Sequence, residues 1–194
     1  MSGSFDILMV GIGGQGTILA SNILGEACLI EGRPAKWAAT HGNAQRGGSE
    51  ESHIRIDRLF GPLIPPGQAD LMISFDLLEA LRYSHYMKDS GRGVVNNHHV
   101  LPTSLLTQKI VAPTQDGTIA ALQKKPLCLI DSNKMVADAG SSLPQNVVML
   151  GAASGSIPLT PESLLEAVRR RVPKNKVEIN VKAFESGRVF GGTG

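Results

Sequence analysis

The sequence predicts a doubly wound, Rossmann-like α/β fold with a mostly parallel sheet and helices on both faces. Short apolar runs alternate with amphipathic stretches, turns rich in glycine or proline separate them, and the first run leads through glycines into a helical pattern. The chain has 194 residues, of which 42% are hydrophobic and 19% charged, as in ordinary globular proteins. We therefore expect a single domain over residues 1–194, with an ordered core over about 5–190.

The N-terminal third carries the clearest pattern. Residues 7–10 form an unbroken apolar run, typical of a strand buried on both faces, and the glycine-rich segment 11–16 follows directly. From residue 17 to about 31, apolar positions recur at spacings of three and four, which predicts a helix that ends at Gly32. Residues 35–39 can form a second short strand. The chain thus begins as a strand, a glycine turn and a helix.

The later apolar runs predict the remaining strands of the sheet. Residues 51–56 alternate polar and apolar side chains, which suits a less buried strand. The other predicted strands are short runs of apolar residues, at 71–75, 94–96, 127–131 and 147–150.

Helix starts can be placed between these strands. Asp76 is a capping residue, and Glu79 three positions later completes something close to a capping box. Residues 160–162 combine a cap, a proline and a carboxylate at the start of another helix. That helix ends in Arg169–Arg171, which we interpret as a solvated terminus and not as a phosphate or nucleic-acid patch. A last helix contains residues 181–184.

Composition excludes several classes of partner. The formal net charge is +2, so charge balance indicates neither nucleic acid nor an anionic membrane. No basic N-terminal segment leads into an apolar stretch, and no run approaches the ~18 apolar residues of a membrane span, so we expect a cytoplasmic protein. The two cysteines, Cys28 and Cys128, are interpreted as small buried hydrophobes. An iron–sulfur cluster needs about four thiolates, so this chain is not expected to carry one.

The glycine turn is the first candidate site, with Gly11, Gly13, Gly14, Gln15, Gly16 and Thr17 as its candidate anion-binding residues. Glycines permit close backbone approach, and the following helix presents unpaired N–H groups to an anion. The pattern fits GxGxxG, but the second strand ends without the carboxylate that holds ribose in dinucleotide-binding domains. Arg46 is the alternative to that carboxylate, and its guanidinium would recognise a 2′-phosphate. Two interpretations of the glycine turn therefore remain open: a tight turn that packs the helix against the sheet, and a phosphate-binding site.

The loop that follows the second strand is the second candidate site. It crowds hydrogen-bonding side chains and glycines into nine positions, among them His41, Asn43, Gln45, Arg46, Gly47, Gly48 and Ser49. A guanidinium among glycines can meet carboxylate or phosphate oxygens while the backbone supplies further donors. The loop can recognise a ligand such as coenzyme A, or it can become ordered against a partner protein.

The sequence nominates no catalytic residue and no metal ligand. His98 and His99 are adjacent, so on a strand they would point to opposite faces, and we expect them in a turn. There is no GxSxG motif and no cysteine with an evident basic companion.

Four segments resemble the gamma-type domain of pyruvate, ketoisovalerate and indolepyruvate ferredoxin oxidoreductases. The turn at 11–17 looks like the family's GxGGQG turn, and residues 41–49 resemble the HGxAQRGG loop of indolepyruvate oxidoreductase beta subunits. Residues 77–83 are similar to its LEALRY helix, and 180–187 to its NxKAFExG helix. Asn43 stands where the family commonly has methionine. The resemblance covers nearly the whole chain.

The resemblance implies a non-catalytic subunit of a 2-oxoacid:ferredoxin oxidoreductase, inactive in isolation. In that family a 2-oxoacid is decarboxylated on thiamine diphosphate, electrons pass through iron–sulfur clusters to ferredoxin, and coenzyme A receives the acyl group. Thiamine and the clusters lie on other subunits or domains, so the implied partner is the thiamine-carrying catalytic subunit. Self-association of the isolated chain is a further expectation. Two alternatives stay open: a stand-alone nucleotide- or phosphate-binding Rossmann-like protein, and a homo-oligomeric binding protein.

Overall fold

The computed structural model describes residues 3–41, 47–58, 60–101, 111, 113–138 and 144–191. Within these residues the chain forms six strands, which are β1 (Phe5–Ile12), β2 (Ala35–His41), β3 (Ser49–Ile56), β4 (Ala69–Ser74), β5 (Met87–Asn96) and β6 (Leu127–Ile130). The same residues form seven α-helices, which are α1 (Thr17–Ile30), α2 (Leu77–Tyr83), α3 (Gln115–Leu122), α4 (Ser132–Asp138), α5 (Gln145–Ala153), α6 (Pro161–Arg171) and α7 (Val177–Gly191).

The strands form one mixed sheet in the order β2-β3-β1-β4-β5-β6. Strands β1, β4, β5 and β6 are parallel neighbours, whereas β3 runs antiparallel to both β1 and β2. The predicted doubly wound, mostly parallel sheet is confirmed. The antiparallel β3 was not predicted, and it separates β2 from β1, which a dinucleotide-binding unit would place side by side.

Alternate residues of β1 serve the two faces of the sheet, which explains its unbroken apolar run. Ile7 and Met9 pack into the core with α1, α5, α6 and α7, while Leu8 and Val10 pack on the other face with α2 and α3. All four side chains are fully buried. A strand covered on both faces needs apolar residues at every position, so the absence of alternation here indicates a central strand.

Two predicted elements differ from the structure. Residues 147–150 lie in α5 and not in a strand, and residues 146–153 of this helix are all buried. A short run that is apolar on every side fits a buried helix as well as a buried strand, so periodicity alone did not distinguish them. Strand β3 is also more buried than predicted, because it lies inside the sheet: Ser52 and His53 are 1% and 2% exposed.

Helices α5 and α7 approach each other so closely that glycine is required at their contact. A Cβ built on Gly187 would lie 2.9 Å from the Ala152 backbone nitrogen and closer still to the Val148 carbonyl oxygen. Equivalent overlaps arise at Gly151 against Phe184 and at Gly191 against Ala152. The two helices therefore pack backbone against backbone.

A buried ion pair lies at the N-terminal end of β1. Asp6 is fully buried, and its carboxylate accepts from Arg55 Nε at 3.1 Å and from Arg55 Nη2 at 3.2 Å. Arg55 Nη1 also donates to the Leu63 carbonyl at 3.0 Å, which holds the connection between β3 and β4. Asp6 and Arg55 are direct partners in the β1–β3 register. This pair thus fixes both a strand register and a loop.

The predicted start of α6 is confirmed and carries a further contact. Thr160 caps the helix by accepting from Ser163 N at 3.2 Å, and Glu31 accepts from Thr160 N at 2.6 Å and from Ser163 Oγ at 2.6 Å. Burial opposes the charge of Glu31, but the hydrogen bonds from Ser163 and Thr160 hold the pKa of its carboxyl below the ordinary value. At the other end of α6, Arg170 pairs with Glu166 at 2.9 Å on an exposed surface, as expected for a solvated terminus.

The two cysteines occupy different environments. Cys28 is fully buried, and burial raises the pKa of its thiol to about 12. Cys128 is only partly buried and lines a cavity of about 300 Å³ together with Arg92 and Ser156. The prediction of two buried cysteines is therefore wrong for Cys128, which lies on the edge strand β6. Among the described residues, no helix is both long enough and apolar enough to cross a membrane.

Candidate functional site

The glycine turn lies at the C-terminal edge of the parallel strands, between β1 and α1. In doubly wound folds ligands bind at this edge. Gly14 and Gly16 adopt left-handed φ angles of 105° and 86°, which favour glycine. A Cβ on Gly14 would meet nothing within 4 Å, so the outer side of the turn is open. The turn therefore exposes its backbone where a ligand is expected.

The inner side of the same turn is tightly packed. Gln15 folds back and accepts from Ile12 N at 2.7 Å. A Cβ on Gly11 would lie 2.8 Å from Gln15 Oε1 and 3.0 Å from Thr17 Oγ1, so a larger residue at that position would displace the Gln15 side chain. Gln15 is named in the sequence analysis as a candidate anion-binding residue. In the structure its side chain instead stabilises the inside of the turn.

Thr17 places an unpartnered hydroxyl beneath the turn. Its side chain is fully buried, and Oγ1 has no hydrogen-bond partner within the described part of the chain. Thr17 is the first residue of α1, where backbone N–H groups lack helical partners and the helix dipole is positive. Gly16 caps this helix without a side-chain hydrogen bond. Together these donors suit an oxyanion such as a phosphate group.

The structure joins the two candidate segments that the sequence analysis treated separately. Gly13 N donates to the Gly48 carbonyl at 2.8 Å, and Gly47 N donates to the Gly13 carbonyl at 3.3 Å. The join depends on β3, which lies beside β1 and begins at Ser49 directly after the two glycines. The glycine turn and the end of the loop therefore form one backbone surface.

The loop's remaining candidates are only partly covered by the structure. Backbone pairing of His41 with Glu50 closes the β2–β3 ladder at the other end of the loop, and the His41 side chain is not described. Gly47 has a left-handed φ of 76°. Asn43, Gln45 and Arg46 lie outside the described residues, so their predicted roles stay predictions.

Side chains of α2 hold the end of the loop, and sequence reasoning missed this function. The Ser49 hydroxyl donates to Glu79 Oε2 and lies 3.0 Å from the Tyr83 hydroxyl. Glu79 is 3% exposed and forms an ion pair with Arg82 at 3.2 Å. Burial raises the pKa of Glu79, and the Ser49 hydroxyl and the Arg82 guanidinium offset part of that effect. Burial also raises the pKa of Tyr83 above its ordinary value.

Asp76 links α2 to the segment that follows β5. It caps the helix by accepting from Leu78 N at 2.8 Å, and its other oxygen accepts from Val100 N at 2.9 Å. His98 Nδ1 lies 4.0 Å from the same carboxylate. His98 and His99 lie in a segment without regular secondary structure, so they lie neither on a strand nor in the turn that the sequence predicts. The predicted capping box is half formed, because Asp76 caps the helix while Glu79 turns toward β3.

Asn146 at the start of α5 is a second missed residue. Its Nδ2 donates to the Gly16 carbonyl at 3.3 Å, and the side chain is buried. A Cβ on Gly16 would lie 2.6 Å from this atom. The residue was missed because α5 was predicted as a strand that begins after it. Asn146 thus fixes the glycine turn from the side of the helical core.

Metal binding finds no support in the part of the chain that the structure describes. Its histidine, cysteine and carboxylate side chains form no group of three that could hold a metal ion. Two cavities lie at the opposite, N-terminal edge of the parallel strands, one lined by Arg92 and the other by Phe60.

Comparison with known proteins identifies the same fold and length in characterised enzyme subunits. A family model described as pyruvate ferredoxin/flavodoxin oxidoreductase matches residues 6–190. Indolepyruvate oxidoreductase subunit IorB of Archaeoglobus fulgidus is 37% identical over 186 residues, covering 94% of this chain and 92% of the relative. The common gamma subunit of the pyruvate/ketoisovalerate oxidoreductases of Pyrococcus furiosus is 28% identical over 193 residues, covering 93% and 95%.

A solved structure agrees with this assignment. The gamma subunit of the keto/oxoacid ferredoxin oxidoreductase of Geobacter sulfurreducens superposes with a TM-score of 0.72 at 27% identity, covering 98% of this chain and 99% of that subunit. The family model spans nearly all of the chain, from β1 to the end of α7. This chain therefore belongs to the pyruvate ferredoxin/flavodoxin oxidoreductase family.

Proposed function

We propose that this chain is the small, non-catalytic subunit of a 2-oxoacid:ferredoxin oxidoreductase of the indolepyruvate type. Support comes from relatives that are themselves small subunits of such enzymes and that match over nearly the full length of both chains. In the assembled enzyme a 2-oxoacid loses carbon dioxide, ferredoxin receives the electrons and coenzyme A receives the acyl group. A cytoplasmic location stays a prediction of this proposal.

The residues of this chain do not fit the iron–sulfur clusters that the family implies. The sequence has two cysteines, and a cluster of the usual kind needs about four thiolates. Cys28 is a buried residue of α1 and Cys128 lies on the edge strand β6, so the two thiols lie on separate elements. We assign the iron–sulfur clusters and thiamine diphosphate to the partner subunits.

Coenzyme A is the implied cofactor that the candidate site fits. The observation that supports this proposal is the pair of hydrogen bonds that joins Gly13 to Gly47 and Gly48. It places the start of α1, with the buried Thr17 hydroxyl, next to the end of the loop that contains Arg46. Backbone N–H groups at a helix start and a guanidinium both bind phosphate oxygens. Coenzyme A carries several phosphate oxygens and supplies the thiol that accepts the acyl group.

We propose that the turn and the loop contact coenzyme A where this subunit meets the thiamine-carrying subunit. Arg46→Ala tests the loop in the complex reconstituted with that subunit. It should raise the KM for coenzyme A, or the Kd for the partner subunit, by about tenfold, because charge-assisted hydrogen bonds contribute about 1.5–3 kcal/mol. The Tm of the isolated chain should stay nearly unchanged. Arg171→Ala, at the exposed end of α6, is the matched control and should change neither quantity.

Two outcomes of the Arg46→Ala experiment would contradict this proposal. If Arg46→Ala unfolds the isolated chain while the remaining complex keeps full affinity and activity, Arg46 is a structural residue. Unchanged values of KM, Kd and Tm would remove the loop from the proposed contact.

The alternative of a stand-alone nucleotide-binding protein makes a different prediction. Strand β2 ends at His41 without a carboxylate, and β3 separates it from β1, so the usual ribose contact is missing. We expect NAD and NADP to bind no more tightly than about 1 mM in calorimetric titration. Low-micromolar binding would support the stand-alone protein instead.

A further inference from the structure

The end of the loop is attached to helix α2 by a hydroxyl at the start of β3. Ser49 Oγ contacts Glu79 Oε2 and lies 3.0 Å from the Tyr83 hydroxyl. Ser49 directly follows Gly47 and Gly48, whose backbone bonds to Gly13 in the glycine turn. A side chain of α2 therefore reaches the backbone surface of the candidate site through one intermediate residue.

Helix capping does not account for the orientation of Glu79. In a capping box the glutamate would accept from the backbone N–H of Asp76, but that N–H lies 3.4 Å from Ser74 Oγ. Asp76 already caps α2 through Leu78 and Glu79 backbone N–H groups. The Glu79 side chain instead points across to β3.

The local environment opposes a carboxylate at this position. The Glu79 side chain is 4% exposed, and the neighbouring Asp76 carboxylate repels its charge. Arg82 offsets part of that cost from a half-exposed position, 3.2 Å away. Burying a charge is unfavourable unless hydrogen bonds and an opposite charge compensate it, and a neutral side chain would avoid the cost. Besides the ion pair with Arg82, the carboxylate contributes a charged acceptor for the Ser49 hydroxyl.

We propose that Glu79 is a positioning residue for the candidate coenzyme A site, acting through Ser49 and assisted by Tyr83. Glu79 fixes the Ser49 hydroxyl, Ser49 fixes the start of β3, and the two preceding glycines are thereby held against Gly13. The inference rests on the proposed function of that surface. It adds two side chains of α2, those of Glu79 and Tyr83, to the set that determines binding.

Kinetics of the assembled complex test this proposal. Ser49→Ala and Glu79→Gln should each raise the KM for coenzyme A by about three- to tenfold, with kcat within about twofold of wild type. Ser49→Ala loses the hydrogen bond, whereas Glu79→Gln replaces its charged acceptor by a weaker neutral one. Ser49→Thr keeps the hydroxyl and should retain the wild-type KM. Tyr83→Phe should raise KM, whereas Tyr86→Phe, three positions later beside Tyr83, is the matched control and should not.

The possible outcomes separate this inference from the function on which it rests. If Arg46→Ala raises the KM for coenzyme A while Ser49→Ala and Glu79→Gln leave it unchanged, the site stands and the positioning role is wrong. If none of the three variants changes KM or assembly, the proposed site is wrong and the inference fails with it. If Ser49→Ala and Glu79→Gln lower the Tm of the isolated chain and reduce kcat without changing KM, both residues are merely structural.

Discussion

The contact between α5 and α7 predicts that Gly187→Ala destabilises the chain, whereas helix propensity alone predicts that it stabilises the chain. Replacing Gly187 by alanine inside an exposed helix should stabilise it by about 1 kcal/mol. In this chain the new Cβ would lie 2.9 Å from the Ala152 backbone nitrogen and closer to the Val148 carbonyl oxygen. Contacts below 3.0 Å are essentially never seen for a real Cβ. We therefore expect Gly187→Ala to destabilise the chain.

The magnitude follows from what the helices must do to accommodate the methyl group. The obstructing atoms are backbone atoms, so no side chain can rotate away, and the helices must move apart by about 1 Å at this point. Overpacking of this kind costs about 1–3 kcal/mol, and a backbone obstruction belongs at the upper end. Subtracting the propensity gain leaves a loss of about 2 kcal/mol. In a chain of this size that loss lowers Tm by about 4–8 °C.

Urea and thermal unfolding followed by circular dichroism can measure this change. Gly155→Ala is the matched control, because a Cβ on Gly155 would meet nothing within 4 Å. It should leave the free energy of unfolding within about 0.5 kcal/mol of the wild-type value. A Gly187→Ala variant as stable as Gly155→Ala, or more stable than wild type, would refute the inferred backbone contact.

Three further predictions concern the rest of the fold. Iodoacetamide should alkylate Cys128 but not Cys28 in the native protein, since burial keeps Cys28 inaccessible and its pKa near 12, and peptide mass spectrometry should show both modified only after unfolding. Asp6→Ala should lower the free energy of unfolding in urea by about 3 kcal/mol, because it leaves Arg55 without its carboxylate partner. The lowered pKa of Glu31 means that its ionised form stabilises the fold above the ordinary glutamate pKa and loses this effect as pH falls through the folded value. The stability difference between wild type and Glu31→Gln should therefore be largest near neutral pH and shrink below about pH 4.

Local patterns made the start of the fold predictable. The apolar run of β1, the glycines and the spacing in α1 each reflect short-range requirements, and all three elements were placed correctly. The start of α6 was equally clear, because Thr160 and Pro161 are capping and first-turn residues whose preference depends on the helix end itself. Periodicity failed for α5, which is buried on every side and therefore has no polar face to reveal its period.

The assembly of the candidate site depends on contacts that no local pattern contains. The glycine turn and the loop meet because β3 lies beside β1 in antiparallel orientation, which only the whole sheet determines. In the sequence, the spacing between Asp76 and Glu79 predicts a capping box. The actual partner of the Glu79 side chain, Ser49, lies thirty positions earlier in the chain. The residue types of the site were visible in the sequence, but their partners were not.

The ion pair between Asp6 and Arg55 also determines the orientation of Ser49, at the other end of β3. A slip of one residue between β3 and β1 would exchange the two faces of β3 and turn Ser49 away from α2. Asp6 pairs with Arg55 near one end of the ladder, and Ser49 lies opposite Ile12 at the other end. A buried ion pair tolerates no such slip, because Asp6 would lose its partner. The loop before Ser49 can therefore change in length or composition during evolution while the strand keeps its alignment.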